Sequence, residues 1–406
     1  MRFLRTVSTR RLLAIIAGFV SAIAAGAAIA VAAAGPGPVP TKTSLARAVH
    51  NALAAPAIGG VSARISFTNH LIDSSDLQGS DPILSGATGR LWLSSDHRLR
   101  LELQSDNGDA QVVVNKGAFW VYDPSSNTVY EGTLPADATA TQKQTAQDRL
   151  PSIAQIQSDI ATLARHANLS GAIPSDVAGR AAYTVRISPK HDGGLLGAGA
   201  LAWDALKGVP LKFAVYARND PTPVLQLKAT NISFGSVPAS VFNISPPSGA
   251  KVVKVDTTST SAGAAAGARK AKAHARQKEI TGAAAVAKRL PFTLVAPTKL
   301  VGLPRRSVTL LNWGGSPAAL VAYGQNLGGV AVIEQPASVA KSAATNTGQA
   351  GDRRGLNLPT VSINGATGQE LDTALGTMVR FTRGGVTYTV VGSVPAAAAD
   401  AAARAL

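Results

Sequence analysis

The most regular patterning in the chain lies between Gly86 and Leu134, where apolar and polar positions alternate in short bursts. Turn residues cut this stretch into five extended segments: 89–93, 98–104, 110–115, 118–122 and 128–131. The breaks are Ser94-Ser95-Asp96, Asn107-Gly108, Lys116-Gly117 and Asp123-Pro124. Asn-Gly supplies two residues that tolerate positive φ, as a type I′ hairpin turn requires. From Arg98 to Gln104 the alternation is strict, so Leu99, Leu101 and Leu103 share one face and the charged side chains the other. The pattern predicts an up-and-down meander with one apolar face.

Upstream, Leu45, Ala48, Val49, Ala52 and Leu53 recur at helical spacing behind Thr43 or Ser44 as cap, which predicts a helix over 43–55. A strand follows over 61–70. Downstream of a polar loop (136–147), Ile153, Ile156, Ile160, Leu163 and Ala164 form one helical stripe within 152–167. A second run of strands is expected at 178–189, 201–206, 211–216, 224–229 and 231–234. Residues 258–287 are rich in Ala, Gly, Thr and Lys and almost devoid of large apolar residues, so they cannot build a core; they are disordered or a solvated helix over 264–287. Beyond them, strands are expected at 292–295, 307–313, 318–323, 329–334, 369–375, 378–383 and 386–392, with a polar loop at 338–357 and a terminal helix at 396–406.

Residues 1–11 are basic and residues 12–34 carry no charge. Arginines ahead of an apolar run hold the N-terminus inside and send the rest of the chain across a membrane. The run is long enough for a bilayer span, while Ala32-Ala33-Ala34 suits signal-peptide cleavage. Both a cleaved signal and a retained anchor remain open, and either exports the remainder. A Pro/Gly spacer at 35–40 follows. The division expected is therefore 1–34 signal or anchor, 35–40 spacer, 41–250 first domain, 251–289 basic linker and 290–406 second domain.

The net charge of +16 invites a nucleic-acid reading, but eleven of those charges come from residues 251–289 and the four arginines of the N-terminal segment. A basic linker facing anionic lipid of a membrane surface or cell-wall polymer accounts for them better, and no nucleic-acid partner is expected. The chain has no cysteine, which excludes disulfides, thiol catalysis and acylation at a cysteine. Its six histidines lack metal spacing, and no G-x-S-x-G, P-loop or dinucleotide fingerprint occurs. No enzyme and no cofactor are expected.

The run Gly117-Ala118-Phe119-Trp120-Val121-Tyr122-Asp123-Pro124, placed after a strand of Arg-Leu-Arg-Leu-Glu type, resembles the core of bacterial lipoprotein-carrier proteins of the LolA/RseB kind. The segment around Trp203, Gly208-Val209-Pro210 and Leu211 resembles the back half of that family, so the likeness covers about residues 41–250. The small unit after the linker has a looser likeness to C-terminal domains of membrane-anchored regulators. The resemblance implies an α+β fold: an open antiparallel half-barrel lidded by helices, followed by a small α+β domain. It also implies uptake of acyl chains of lipid or lipoprotein on the apolar face, or, in the RseB-like branch, regulation of an anti-sigma factor or other membrane protein. The residues expected to line such a site are Leu91, Leu93, Leu99, Leu101 and Leu103, with Trp92, Trp120 and Tyr122 at its rim. Each buried methylene contributes about 0.8 kcal/mol, so an acyl chain needs no polar anchor.

Overall fold

The computed structural model describes residues 38–72, 86–105, 108–134, 150–255, 280–313, 316–339 and 358–406. The expected signal or anchor, the loop at 136–147 and residues 256–279 of the linker lie outside them, as does most of the loop at 338–357. The described residues are mostly β and form two sheets.

The first sheet contains β1 (Gly60–Asn69), β2 (Ala87–Ser94), β3 (Leu99–Ser105), β4 (Gly108–Asn115), β5 (Ala118–Asp123) and β6 (Thr128–Thr133). It continues with β7 (Ala167–Leu169), β8 (Ile173–Val177), β9 (Arg180–Pro189), β10 (Leu196–Asp204), β11 (Pro210–Ala217), β12 (Pro223–Phe234) and β13 (Lys251–Val255). Its order is β13-β6-β5-β4-β3-β2-β1-β12-β11-β10-β9-β7, with β8 also on β9. The five meander strands pair in sequence as expected, and the Lys116-Gly117 turn takes the two positive φ values, 50° and 83°, of a tight hairpin. The sheet is open, with β1 joining the meander to the later strands.

This sheet differs from the sequence expectation in two short strands that were not expected, β7 and β8, and in three further features. Segments 224–229 and 231–234 are one strand, β12, bulged where Ile65 pairs with Ala229 but Arg64 pairs with Asn231. The extra residue, Thr230, explains why its alternation breaks there. Residues 251–255, assigned to the linker, are instead β13, which pairs with β6 in parallel. A short Lys-Val-Val-Lys-Val segment acquires a strand partner only through this distant contact. The expectation of helices lidding the sheet is met only in part. Helix α1 (Leu45–Leu53), capped by Ser44, lies over β9 and β10 against Tyr183, Val185 and Trp203. Helix α2 (Ile153–Leu163) packs mainly on α1; His50 Nδ1 lies 3.1 Å from the Pro151 carbonyl oxygen.

The second sheet contains β14 (Lys299–Leu300), β15 (Leu303–Trp313), β16 (Ser316–Tyr323), β17 (Val330–Pro336), β18 (Thr360–Ile363), β19 (Ala366–Thr373), β20 (Gly376–Arg383) and β21 (Val386–Gly392), in the order β14-β15-β16-β17-β21-β20-β19-β18. Helix α3 (Ala283–Ala287) lies on β15, and α4 (Ala396–Arg404) lies on β20 and β21. Residues 280–289, also assigned to the linker, therefore belong here: Val286 is fully buried and Ile280 accepts a backbone hydrogen bond from Leu310. Residues 292–295 are not a strand. Pro291 and Pro297 bracket them, and Phe292, Leu294 and Val295 pack as irregular chain against the core.

The two sheets touch at Leu71, whose carbonyl accepts from Ala374 N at 2.9 Å, and at the turn before β10. Leu195 N donates to the Ser393 carbonyl at 3.0 Å and to Ser393 Oγ at 2.9 Å, while Leu327 N donates to the Asp192 carbonyl at 3.3 Å. Asp192 itself holds Arg218 at 3.0 Å.

Candidate functional site

Side chains alternate between the two faces of the first sheet, so the registers assign every candidate residue to a face. On one face a row runs from Val121 through Val112, Leu101, Leu91 and Ala63 to Ile232. A second row runs from Phe67 through Leu227, Phe213 and Leu201 to Val185. All five candidate leucines are on this face. Leu93 and Leu99 are closed over by Ile58 and Val209 and are only 3% and 8% exposed. Leu91, Leu101 and Leu103 are half-buried, and further along the face Phe213 and Leu227 are each 44% exposed. Most monomers hide such apolar continuity.

Trp92, Trp120 and Tyr122 are on the opposite face, so the structure does not bring them together with the leucines. Odd and even positions of one strand cannot line the same groove. Trp92 pairs across strands with Arg100, whose guanidinium lies 5.1 Å from the indole ring and donates at 3.0 Å to the Val241 carbonyl. Arg100 also holds Glu102. Trp120 is buried with Val113 and Val129, and Tyr122 Oη donates to Asn127 Oδ1 at 3.2 Å. This face is covered by the chain between β12 and β13, where Phe242 is 1% exposed and Asn115 Nδ2 donates to Asn243 Oδ1 at 2.7 Å. Between that segment and the outer meander strands lies a cleft of about 730 Å³, walled by Val113, Trp120, Phe242 and Ile244 and flanked by the Glu131–Lys254 pair.

Phe67, Phe213 and Leu227 were not singled out from the sequence as site residues. Their signal was present: Phe213 and Leu227 alternate with Lys212 and Lys228, the same pattern that marked Leu99 to Leu103.

The most perturbed acid is remote from both faces. Glu334 on β17 is fully buried in the second sheet, where burial pushes its carboxyl up to about 7 against one stabilising hydrogen bond from Val295 N at 3.0 Å. Burial likewise pushes the Tyr323 phenol up to about 12. Among the described residues no group of three or more His, Cys, Asp or Glu could hold a metal ion. No helix of the described residues is long and apolar enough to cross a membrane.

The geometry is that of an open antiparallel β protein with a partly solvent-facing apolar face, coupled to a smaller sheet with a closed core. No protein-family model matches the chain, and neither does any curated protein. The chain is similar to solved structures of MucB and of LolA-superfamily proteins. One is the Pseudomonas aeruginosa MucA/MucB complex, at 18% identity over 89% of this chain and 95% of that one, with a TM-score of 0.37. A LolA-superfamily protein from Nitrosomonas europaea matches at 9% identity over 50% of this chain and 99% of that one, with a TM-score of 0.19. An outer-membrane lipoprotein-sorting domain from Vibrio parahaemolyticus matches at 11% over 49% and 96%, with a TM-score of 0.18. Identities and TM-scores this low transfer no residue role and no partner to this chain.

Proposed function

We propose that the chain is a non-catalytic, extracytoplasmic, membrane-associated protein that binds lipid or lipoprotein by laying acyl chains along the leucine-bearing face of its first sheet. The observation that carries this reading is the half-exposed apolar row through Leu101 and Leu91, with Phe213 and Leu227 beyond it. An acyl chain on such a row gains about 0.8 kcal/mol for each methylene removed from water. Trp92, Trp120 and Tyr122 drop out of this site, and Phe67, Phe213 and Leu227 join it. In the same reading the sheets are two domains, 41–255 and 280–406, and the basic stretch between them faces the anionic membrane surface.

Native mass spectrometry of the chain from residue 41 onward, purified from a membrane-containing host, tests the proposal. An acyl-bearing mass that co-purifies and is lost on Leu101→Asp is the expected result. A clean apo mass, unchanged by added lipid or lipopeptide, rejects it.

The contacts from Asp192 and Leu195 to Leu327 and Ser393 favour a second reading, in which occupancy of the first sheet is relayed to a partner such as an anti-sigma factor. Deleting residues 290–406 then abolishes partner capture and spares lipid binding. Partner capture by residues 41–255 alone counts against that division.

A further inference from the structure

Away from the cleft, the face opposite the leucines carries a second feature. Lys212 on β11 and Lys228 on β12 are direct cross-strand partners, so both ammonium groups rise from one face of adjacent strands. Arg186 on β9 joins them from the next row, through its pairing with Ala200 and that of Ala200 with Ala214. Its guanidinium is held 4.3 Å from the centre of the Tyr216 ring, which fixes the cation on this face. The floor between the cations is made of small side chains, Ala200, Ala202 and Ala214. Ser66 and Thr184 lie on the rows of the two lysines, and Gln226 pairs with Ala214.

Among the described residues no salt bridge engages Lys212, Lys228 or Arg186. Burial lowers the Lys212 ammonium from the ordinary lysine range, and repulsion from Lys228 and Arg186 lowers it further. The β10 carboxylate, Asp204, is already engaged: Oδ2 accepts from Arg180 Nε at 2.8 Å, and Oδ1 accepts from the amides of Leu206 and Lys207. Like charges in direct cross-strand register destabilise a sheet. A bound anion between the three cations would offset that repulsion.

We propose that Lys212, Lys228 and Arg186 form a binding site for a phosphate group, on the sheet face opposite the apolar one. Two flexible point charges and one planar fork suit a multiply charged oxyanion better than a single carboxylate. The phosphate can belong to a free anion or to a lipid headgroup, and the two are separable with water-soluble probes.

The full chain in non-ionic detergent is melted against inorganic phosphate, and separately against glycerophosphoglycerol, at constant ionic strength. A rise in melting temperature with either probe is expected. Inorganic phosphate alone as the active probe identifies a free-anion site, and glycerophosphoglycerol alone identifies a headgroup site. Lys212→Gln with Lys228→Gln should weaken the response by roughly tenfold in affinity per cation removed. The ligand-free double variant should melt no lower than wild type, because a repulsive pair has gone. Arg186→Gln alone should also weaken the response, which gives a second reading on an exposed position. A charge-matched control in the second sheet, Lys299→Gln with Arg306→Gln, should leave the response intact. The proposal is overturned by no response to either probe, by a response that survives the double variant, or by equal loss in the control.

Discussion

Leu101 in β3 and Phe381 in β20 both sit on the apolar face of an inner strand in an antiparallel meander. Phe381 is 2% exposed, stacked on Tyr388 with ring centroids 5.1 Å apart, whereas Leu101 is only half-buried. What separates them is the layer above. Over the second sheet, α4 presents Ala399, Ala402 and Ala403, all fully buried, and side chains this small let the helix lie close to the strands. Over the first sheet, α1, Ile58 and Val209 reach Tyr183, Trp203, Leu93 and Leu99 but stop short of the outer leucines. An alternating strand specifies an apolar face and leaves open what will cover it.

The sharpest break of this comparison is Phe381→Ala, which should cost about 3–5 kcal/mol because the closed core cannot collapse around the void. Urea unfolding followed through the second sheet measures it. Next is Glu334→Gln. The folded carboxyl titrates near 7 and the unfolded one near 4.5, so its contribution is fully present below 4.5 and is lost as pH rises through 7. The wild-type second sheet should therefore lose about 3 kcal/mol between those values, and the Gln variant should be flat. Equal slopes in the two proteins would remove Glu334 as the source.

Leu101→Ala should cost about 1–2 kcal/mol, since the wild-type side chain keeps much of its contact with water. A loss as large as that of Phe381→Ala would mean that the leucine face is a filled core. The smallest effect is expected at Gly328, where a Cβ would stand 1.8 Å from Asp192 Oδ2. Asp192 is exposed, and swinging it aside gives up its contacts with Arg218 and Gly194 N, so Gly328→Ala should cost about 1 kcal/mol. It should speed hydrogen exchange at the Leu327 and Leu195 amides more than at the core amides of either sheet.

The meander was legible in the sequence because its turns are local: Lys116-Gly117 and Asp123-Pro124 mark boundaries regardless of what surrounds them. The same holds for Ser44, whose side chain caps its helix by accepting from Arg47 N; Ser152, read as the start of its helix, accepts from Gln155 N as that helix's cap. Features that depend on distant partners were not legible. Residues 251–255 read as linker because three valines split by lysines, beside a long polar stretch, are too few to announce a strand. Val286 read as linker because it sits among alanines, although β15 buries it. Placing Trp92 and Trp120 beside the leucines failed for a different reason. Aromatic residues draw attention by type, but parity along the strand decides the face. The burial of Leu93 and Leu99 against the exposure of Leu101 depends on loops 54–59 and 205–210, whose reach no periodicity encodes.

The parallel pairing of β13 with β6 has a consequence for the order in which the molecule is made. A ribosome delivers Thr128 long before Lys251, its partner in the finished sheet. Until residue 255 has emerged, the outer meander strand presents an unpaired row of amides and carbonyls beside Tyr130, an adhesive edge for any other nascent strand. The seam between the two strands is thus among the last parts of this sheet to close. What then faces outward is a strand with Lys251 exposed and the Lys254 side chain 87% exposed, a charged border that discourages further strands from adding. Five residues at the end of the first sheet set the moment at which the growing chain stops being sticky.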